Sequence, residues 1–369
     1  MKGLPILLFS AFTSFAYANV NNVDNAHLEA LPSISTTIGK ENHMVSLNDE
    51  ELSAVQGQAL MNLTRTNDTS QGLNFYRLGM EAEIELNANI KKLQLGCGGV
   101  NGAGNCDIDI DNLALTGVNP VNGEYAASDA KLTNPFIEFA VKNADNSATR
   151  EIVGFRFGSL EALGKLSLGT NNNTSTPNDD TGINSISGDL NLNLVGAYIS
   201  DIRVCVGLFT CILNIPTNAL VDDTVVPLVL NRASVVNDIG PLVANASLGI
   251  TLKLDNVHLV NQSVKAIHEI ILQNSNGTGG TKDFYLSLQK QSVKWPSVAS
   301  PGTFRSVAAQ RGWWLSLPDV TIKDPVITQR IELSVLTAGV GLFGGRVDIQ
   351  GIDLGQKPAK NCYGTLTFC

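Results

Sequence analysis

The chain has 369 residues, a formal net charge of −9, 16% charged and 6% aromatic residues, and 34 glycines. That length holds one large or two medium domains. The acidity excludes a basic stripe for nucleic acid and electrostatic docking on an anionic membrane surface, while low charge with much Gly, Asn, Ser and Thr suits extended β-structure with many turns.

Lys2, the apolar residues 3–15 and Ala16-Tyr17-Ala18 have the form of a secretory signal peptide over 1–18, with Asn19 as the first mature residue. The apolar stretch is shorter than the roughly 20 residues of a spanning helix, and no later stretch is long enough to cross a bilayer. No transmembrane helix is therefore expected after signal removal. Residues 19–57 form a polar lead-in that ends in a short helix over 47–57. Asn48 is its N-cap, Glu51 completes a capping box, Leu47 and Leu52 are the staple pair, and Gly57 is the stop.

Residues 58–369 read as one β-rich domain. Alternation over 80–90 predicts a strand with one dry and one wet face, as it does over 189–194 and 248–254. Residues 136–141 and 152–157 are expected to pair across the polar loop 142–150. Further strands are expected at 284–289, 313–317, 330–336 and 346–350. The pattern changes phase at Asp111-Asn112 and at Asp255-Asn256, where a bulge or bend would keep the same face dry. A subdivision is expected near 171–182, a short helix over 231–239, and a glycine-rich hairpin loop over 274–281.

Export explains the cysteines, which fall in three close pairs: Cys97 with Cys106, Cys205 with Cys211, and Cys362 with Cys369. Six cysteines allow fifteen connectivities, and chain distance favours the three local disulfides. Zinc is the competing use, but there is no Cys-x-x-Cys and the four histidines lie away from the cysteines in sequence. Asp107, Asp109 and Asp111 would share one face of a strand and suggest calcium. The tight Gly turn and distal Glu of a calcium loop are missing, so a solvated face is the preferred reading and no metal site is expected. Trp313 and Trp314 must face opposite ways, one buried and one exposed, and so do not make a flat sugar platform. No Gly-x-Ser-x-Gly elbow, His-Glu-x-x-His helix or phosphate loop is present. Neither catalytic residues nor a cofactor site is assigned.

Residues 79–101, 106–113, 131–140 and 149–154 and the ending from Asn361 to Cys369 resemble the FilA-type pilus-assembly (fimbrial) proteins of Acinetobacter. The likeness is strongest over roughly 47–200 and at the C-terminus, and looser over 200–330. Leu47 to Gln58 also resembles an N-terminal motif of other exported proteins of related bacteria. The resemblance implies a non-enzymatic subunit or accessory of a pilus- or fimbria-like surface system, passing through the periplasm to the cell surface and supporting adhesion or biofilm growth. Its partners would be other proteins of that system, joined by strand addition. The fold class expected is all-β: mainly antiparallel sheets, sandwich-like or rolled, with one short N-terminal helix. The alternative is a periplasmic or outer-membrane-associated carrier of an apolar ligand, held between curved sheets rich in inward Leu and Val.

Overall fold

A computed structural model describes residues 60–119, 128–170, 179–206, 210–215, 219–221, 224–247 and 251–358. The fold is all-β. In chain order the strands are β1 (Met61–Asp68), β2 (Leu73–Met80), β3 (Glu83–Leu86), β4 (Ala88–Leu95), β5 (Ile108–Thr116), β6 (Ala130–Lys142), β7 (Glu151–Ser167), β8 (Ile183–Val195), β9 (Tyr198–Val206), β10 (Thr210–Ile215), β11 (Ala219–Val221), β12 (Thr224–Ala233), β13 (Val235–Ser247), β14 (Thr251–Ser263), β15 (Glu269–Leu272), β16 (Thr281–Gln289), β17 (Gly312–Lys323), β18 (Val326–Ser334) and β19 (Val347–Gln350). One α-helix is described, α1 (Val335–Leu342), set between β18 and β19. The signal peptide, the 47–57 helix and the Cys362/Cys369 pair lie outside the described residues, as does most of the 171–182 segment.

The strands form a twelve-stranded and a seven-stranded sheet. In the larger, β7 pairs with both β5 and β15, β15 with β17, β17 with β8, and β8 with β5. These five strands close a ring, so the sheet is rolled there and leaves no free edge. From the ring, β6, β2 and β1 extend outward in antiparallel register. Three neighbouring strands, β12, β8 and β17, continue directly into the smaller sheet as β13, β9 and β18. The bend falls at Arg232, Gly196 and Asp324, all with positive φ. Two of the corners are tied together: Asp324 donates its backbone N–H to Val195 O (2.7 Å), and Tyr198 donates to Pro325 O (2.9 Å). Strands that change sheets at such bends are how packed sheets turn a corner. This crossing also makes β8/β17 and β9/β18 parallel pairs.

The main core lies between the sheets. Leu190, Leu192 and Leu194 of β8, Leu228 of β12, Ile199 of β9, Val257 of β14 and Ile322 of β17 belong to one buried cluster. A second cluster lies on the outward part of the larger sheet. There the segment 290–311 folds over β2, β6, β7, β16 and β17, burying Val293, Trp295 and Ala309 against Phe75, Tyr285 and Trp314. Two reciprocal backbone bonds between Val293 and Ala309 close it.

Several sequence expectations hold. Phe139 pairs with Phe155 and Phe136 with Gly158, as the 136–141 and 152–157 segments require. Asn112 has φ 47°, and the register of β14 against β13 shifts at 255–256, so both phase changes are bends.

Other expectations are corrected. The 231–239 segment is strand, not helix: it is the β12–β13 corner, and pairing with β8 and β14 overrides its weak helical pattern. The 80–90 alternation is not one half-buried strand. It breaks into β3, which pairs with β6, and β4, which pairs with β5; all four β3 residues are exposed. The 274–281 loop is no hairpin turn, because β15 and β16 both run antiparallel to β7, one after the other along it. The loop is therefore an excursion within a single strand line. In β8 the expected wet face is buried too, since Asp189 and Asn193 are both under 5% exposed.

Candidate functional site

Both expected disulfides within the described residues are formed, Cys97–Cys106 and Cys205–Cys211. The second ties directly opposite positions of β9 and β10. The first closes the β4–β5 hairpin, whose loop carries a 3-10 turn over Gly99–Asn101. Among the described residues, one group of potential metal-ligand atoms comes close together, Cys205, Cys211 and Glu332. Both of its sulfurs are consumed by the disulfide.

The three aspartates separate. Asp109 and Asp111 share a face, but Lys92 Nζ sits between them at 2.5 and 2.8 Å, where a cation would lie. Asn184 bonds both carboxylates as well. Burial opposes the charge on Asp109, yet hydrogen bonds from Lys92, Gln94 and Asn184 outweigh it and hold its pKa below the ordinary range. Burial opposes the charge on Lys92 in the same way, and bonds to Asp109 and Asp111 outweigh it and raise its pKa.

Asp107 is buried elsewhere. It accepts from the Trp313 backbone N–H (3.0 Å), Asn101 Nδ2 (3.0 Å) and Arg232 Nη1 (3.3 Å). Glycines make room for it. A Cβ on Gly96 or on Gly312 would come within 2.1 or 2.5 Å of its Oδ2, and both residues have positive φ. The carboxylate therefore fastens the disulfide hairpin, the β12–β13 corner and the start of β17 to one another.

That junction forms one wall of a cleft of about 640 Å³, within the ~300–1,000 Å³ range of small-molecule sites. Asn101, Asp107, Asn231 and Arg232 stand on this wall; Ile152, Phe155, Leu288 and Lys290 come from β7 and the end of β16; Gln310 and Arg311 come from the segment before β17. Three cations thus face one buried carboxylate in a chain whose net charge is negative. Lys290 is paired with Glu151 at 2.7 Å. Arg311 is exposed and has no ion pair among the described residues. Gln289 is buried; its Nε2 donates to the carbonyls of Gln310 and Gly312, while its Oε1 has no partner.

Neither described histidine is aligned with a hydroxyl or thiol. The His258 ring nitrogens bond Asp238 and Asn256, and those of His268 bond Leu168 O and Asp180. The chemistry this arrangement offers is recognition of a charged or hydroxylated group.

A second feature lies on the outward sheet, on the side opposite the 290–311 cover. Leu63, Leu78, Ile137 and Phe157 stand directly opposite one another across β1, β2, β6 and β7. Each keeps 45–75% of its surface exposed. The next row holds Arg65, Tyr76, Phe139 and Phe155, with the Arg65 guanidinium 5.7 Å from the Tyr76 ring centre. Strand spacing and the two-residue repeat give the patch an area on the order of 200–400 Å². Its outer border, β1, pairs only with β2 among the described residues, which leave its other backbone edge without a partner strand. The faces are inverted relative to simple patterning: Glu138 and Arg156 are buried while their apolar neighbours are exposed.

Trp314 is fully buried and donates Nε1–H to Asp189 (2.8 Å), and Trp313 is partly exposed, as expected from their adjacency. Sequence reasoning missed both the cleft and the inverted face. The cleft is assembled from five separate stretches, and only the hairpin between Cys97 and Cys106 carried a local signal. The chain matches no family model, no curated protein and no solved structure.

Proposed function

We propose that this chain is an exported, non-enzymatic component of a pilus- or fimbria-like surface system, a subunit or accessory that supports adhesion or biofilm growth. The observation that carries the reading is the apolar face of β1, β2, β6 and β7, which no described residue covers, bounded by the edge of β1 that no described strand pairs with. A soluble monomer rarely leaves such a patch without a use. The patch supplies roughly a quarter to a half of the ~800 Å² that each partner buries in a standard interface. Strand addition on β1 supplies the rest, because an incoming strand hydrogen-bonds the edge and lays alternate side chains over the patch. From Met61 to Thr66 the edge carries one charge, Arg65, and none of the prolines or lysines that blunt edges in monomeric sheets. Local disulfides and the resemblance to FilA-type proteins agree with an extracellular structural role.

The test is immunogold labelling of producing cells, comparing the native chain with a Leu63→Lys, Ile137→Lys variant. Both positions are exposed, so the fold is retained. Surface label that disappears in the variant supports the proposal. Label confined to the periplasm contradicts it, and a stoichiometric lipid found on the purified chain by native mass spectrometry moves the conclusion to an apolar-ligand carrier.

A further inference from the structure

We infer that the cleft beside the first disulfide binds an acidic saccharide, at a site that adjoins the apolar assembly face at Phe155. Charge sets the first part of the ligand. Among the described residues Arg311 has no ion pair, and the Arg232 guanidinium bonds only through Nη1, to Asn101 Oδ1 and Asp107, so its Nε and Nη2 are available to a ligand oxygen. Guanidinium groups held in this way match a carboxylate or sulfate.

The remaining walls set the second part. Four carboxamides, Asn101, Asn231, Gln289 and Gln310, line the cleft. Asn101 Nδ2 donates to Gly96 O and Asp107, Gln289 Nε2 to two carbonyls and Gln310 Nε2 to Ala308 O, so what the amides chiefly offer a ligand is carboxamide oxygens that accept from hydroxyl groups. The buried Gln289 Oε1 needs a donor, since a polar atom left bare in a dry site costs free energy. A fatty acid brings no such donor, and a bare phosphate would leave Phe155 and Leu288 uncovered. A pyranose ring brings hydroxyls on its rim and C–H groups on its face. Phe155 is positioned to receive that face: its ring meets Trp313 edge-on at 5.9 Å, which fixes its tilt.

The disulfide hairpin then has a specific task. It presents Asn101 from its 3-10 turn and Asp107 just past its second cysteine, and Asp107 in turn holds Arg232 against the cleft wall. One competing occupant, an acidic peptide, would satisfy the cations but would not require Phe155.

The experiment is an array on the purified oxidised protein. It carries uronic-acid, sialic-acid and sulfated oligosaccharides, the neutral counterpart of each, and acidic peptides, followed by calorimetry on the strongest binder. Binding confined to acidic saccharides is the expected result; the sialylated and uronic arms separate host-type from capsule-type sources. Arg311→Ala weakens that binding about tenfold or more. Lys282→Ala, an exposed cation outside the cleft, leaves it unchanged, and added salt weakens it. Equal binding to neutral counterparts, binding to acidic peptides alone, no binding at all, or an Arg311→Ala protein as tight as the native one would each overturn the assignment. The assembly face is tested at Leu63 and Ile137, which do not line the cleft, so the two readings fail separately.

Discussion

Removing the Glu138 carboxylate should be far more damaging than its place among strand residues suggests. Arg156 is wholly buried, and its Nε donates to Glu138 Oε2 at 2.6 Å. Its Nη2 bonds Pro296 O at 2.6 Å, and its guanidinium carbon lies 5.0, 4.9 and 5.0 Å from the rings of Phe136, Tyr285 and Trp295. The Nη1 atom has no hydrogen-bond partner. In Glu138→Ala the rings and one carbonyl are all that face the charge. Breaking such a buried pair costs about 3–5 kcal/mol. At roughly 2 °C per kcal/mol, the lower slope suited to a long chain, Tm falls by about 6–10 °C. The double variant Glu138→Leu, Arg156→Met removes both charges and recovers most of the loss, because apolar replacements avoid the desolvation penalty. Thermal and urea melts of the two singles and the double give the coupling energy directly. A Glu138→Ala protein within about 2 °C of the native Tm, or a double variant as unstable as the sum of the singles, would refute the reasoning about this buried pair.

Two further outcomes follow from the same contacts. Replacing Cys97 and Cys106 together by Ser removes a loop closure worth about 2–3 kcal/mol in the chain-entropy model. It should also weaken any ligand of the cleft, whereas the same change at Cys205 and Cys211 costs a similar amount in urea melts and leaves cleft binding intact. Asp109 titrates below the ordinary carboxylate value in the folded chain, so its contribution is present above about pH 4 and is lost as pH falls through that depressed value. Lys92 titrates above its ordinary value, so its share persists below about pH 10 and is lost only as pH rises through the raised one. Urea melts against pH should therefore show Asp109→Asn less stable than the native chain between about pH 5 and 9, with the gap narrowing below about pH 4. A gap that stays constant into acid would show that the Lys92 pairing does not act on stability.

The sequence made the β6–β7 pair legible because the 136–141 and 152–157 stretches alternate and a polar loop joins them. It showed the two bends at Asn112 and 255–256 because an inserted Asp-Asn breaks a strict period. It did not show which face was wet. Charges in a strand normally mark the solvent side, yet Glu138 and Arg156 neutralise each other beneath the 290–311 cover, and Ile137 and Phe157 face out. The cover itself has no period to read. Its burial rests on Val293, Trp295 and Ala309, single residues spaced by irregular backbone. Asp189 likewise reads as a surface residue, but Trp314, Ser316 and Arg305 satisfy it inside the sheet. Parallel pairs such as β8 with β17 join segments more than a hundred residues apart, and no local pattern announces them. For the cleft, Arg232 looked helical because the residues around it lack alternation; positive φ at a sheet corner is what places it.

The most direct measurement of the assembly claim is site-specific photocrosslinking in producing cells, with the crosslinking side chain at position 63. An adduct to another subunit of the surface structure, reduced in the Ile137→Lys background, is the outcome the exposed face and free β1 edge require. Failure to form any intermolecular adduct, or an adduct that leads only to residues 19–57 of the same chain, would contradict the claim.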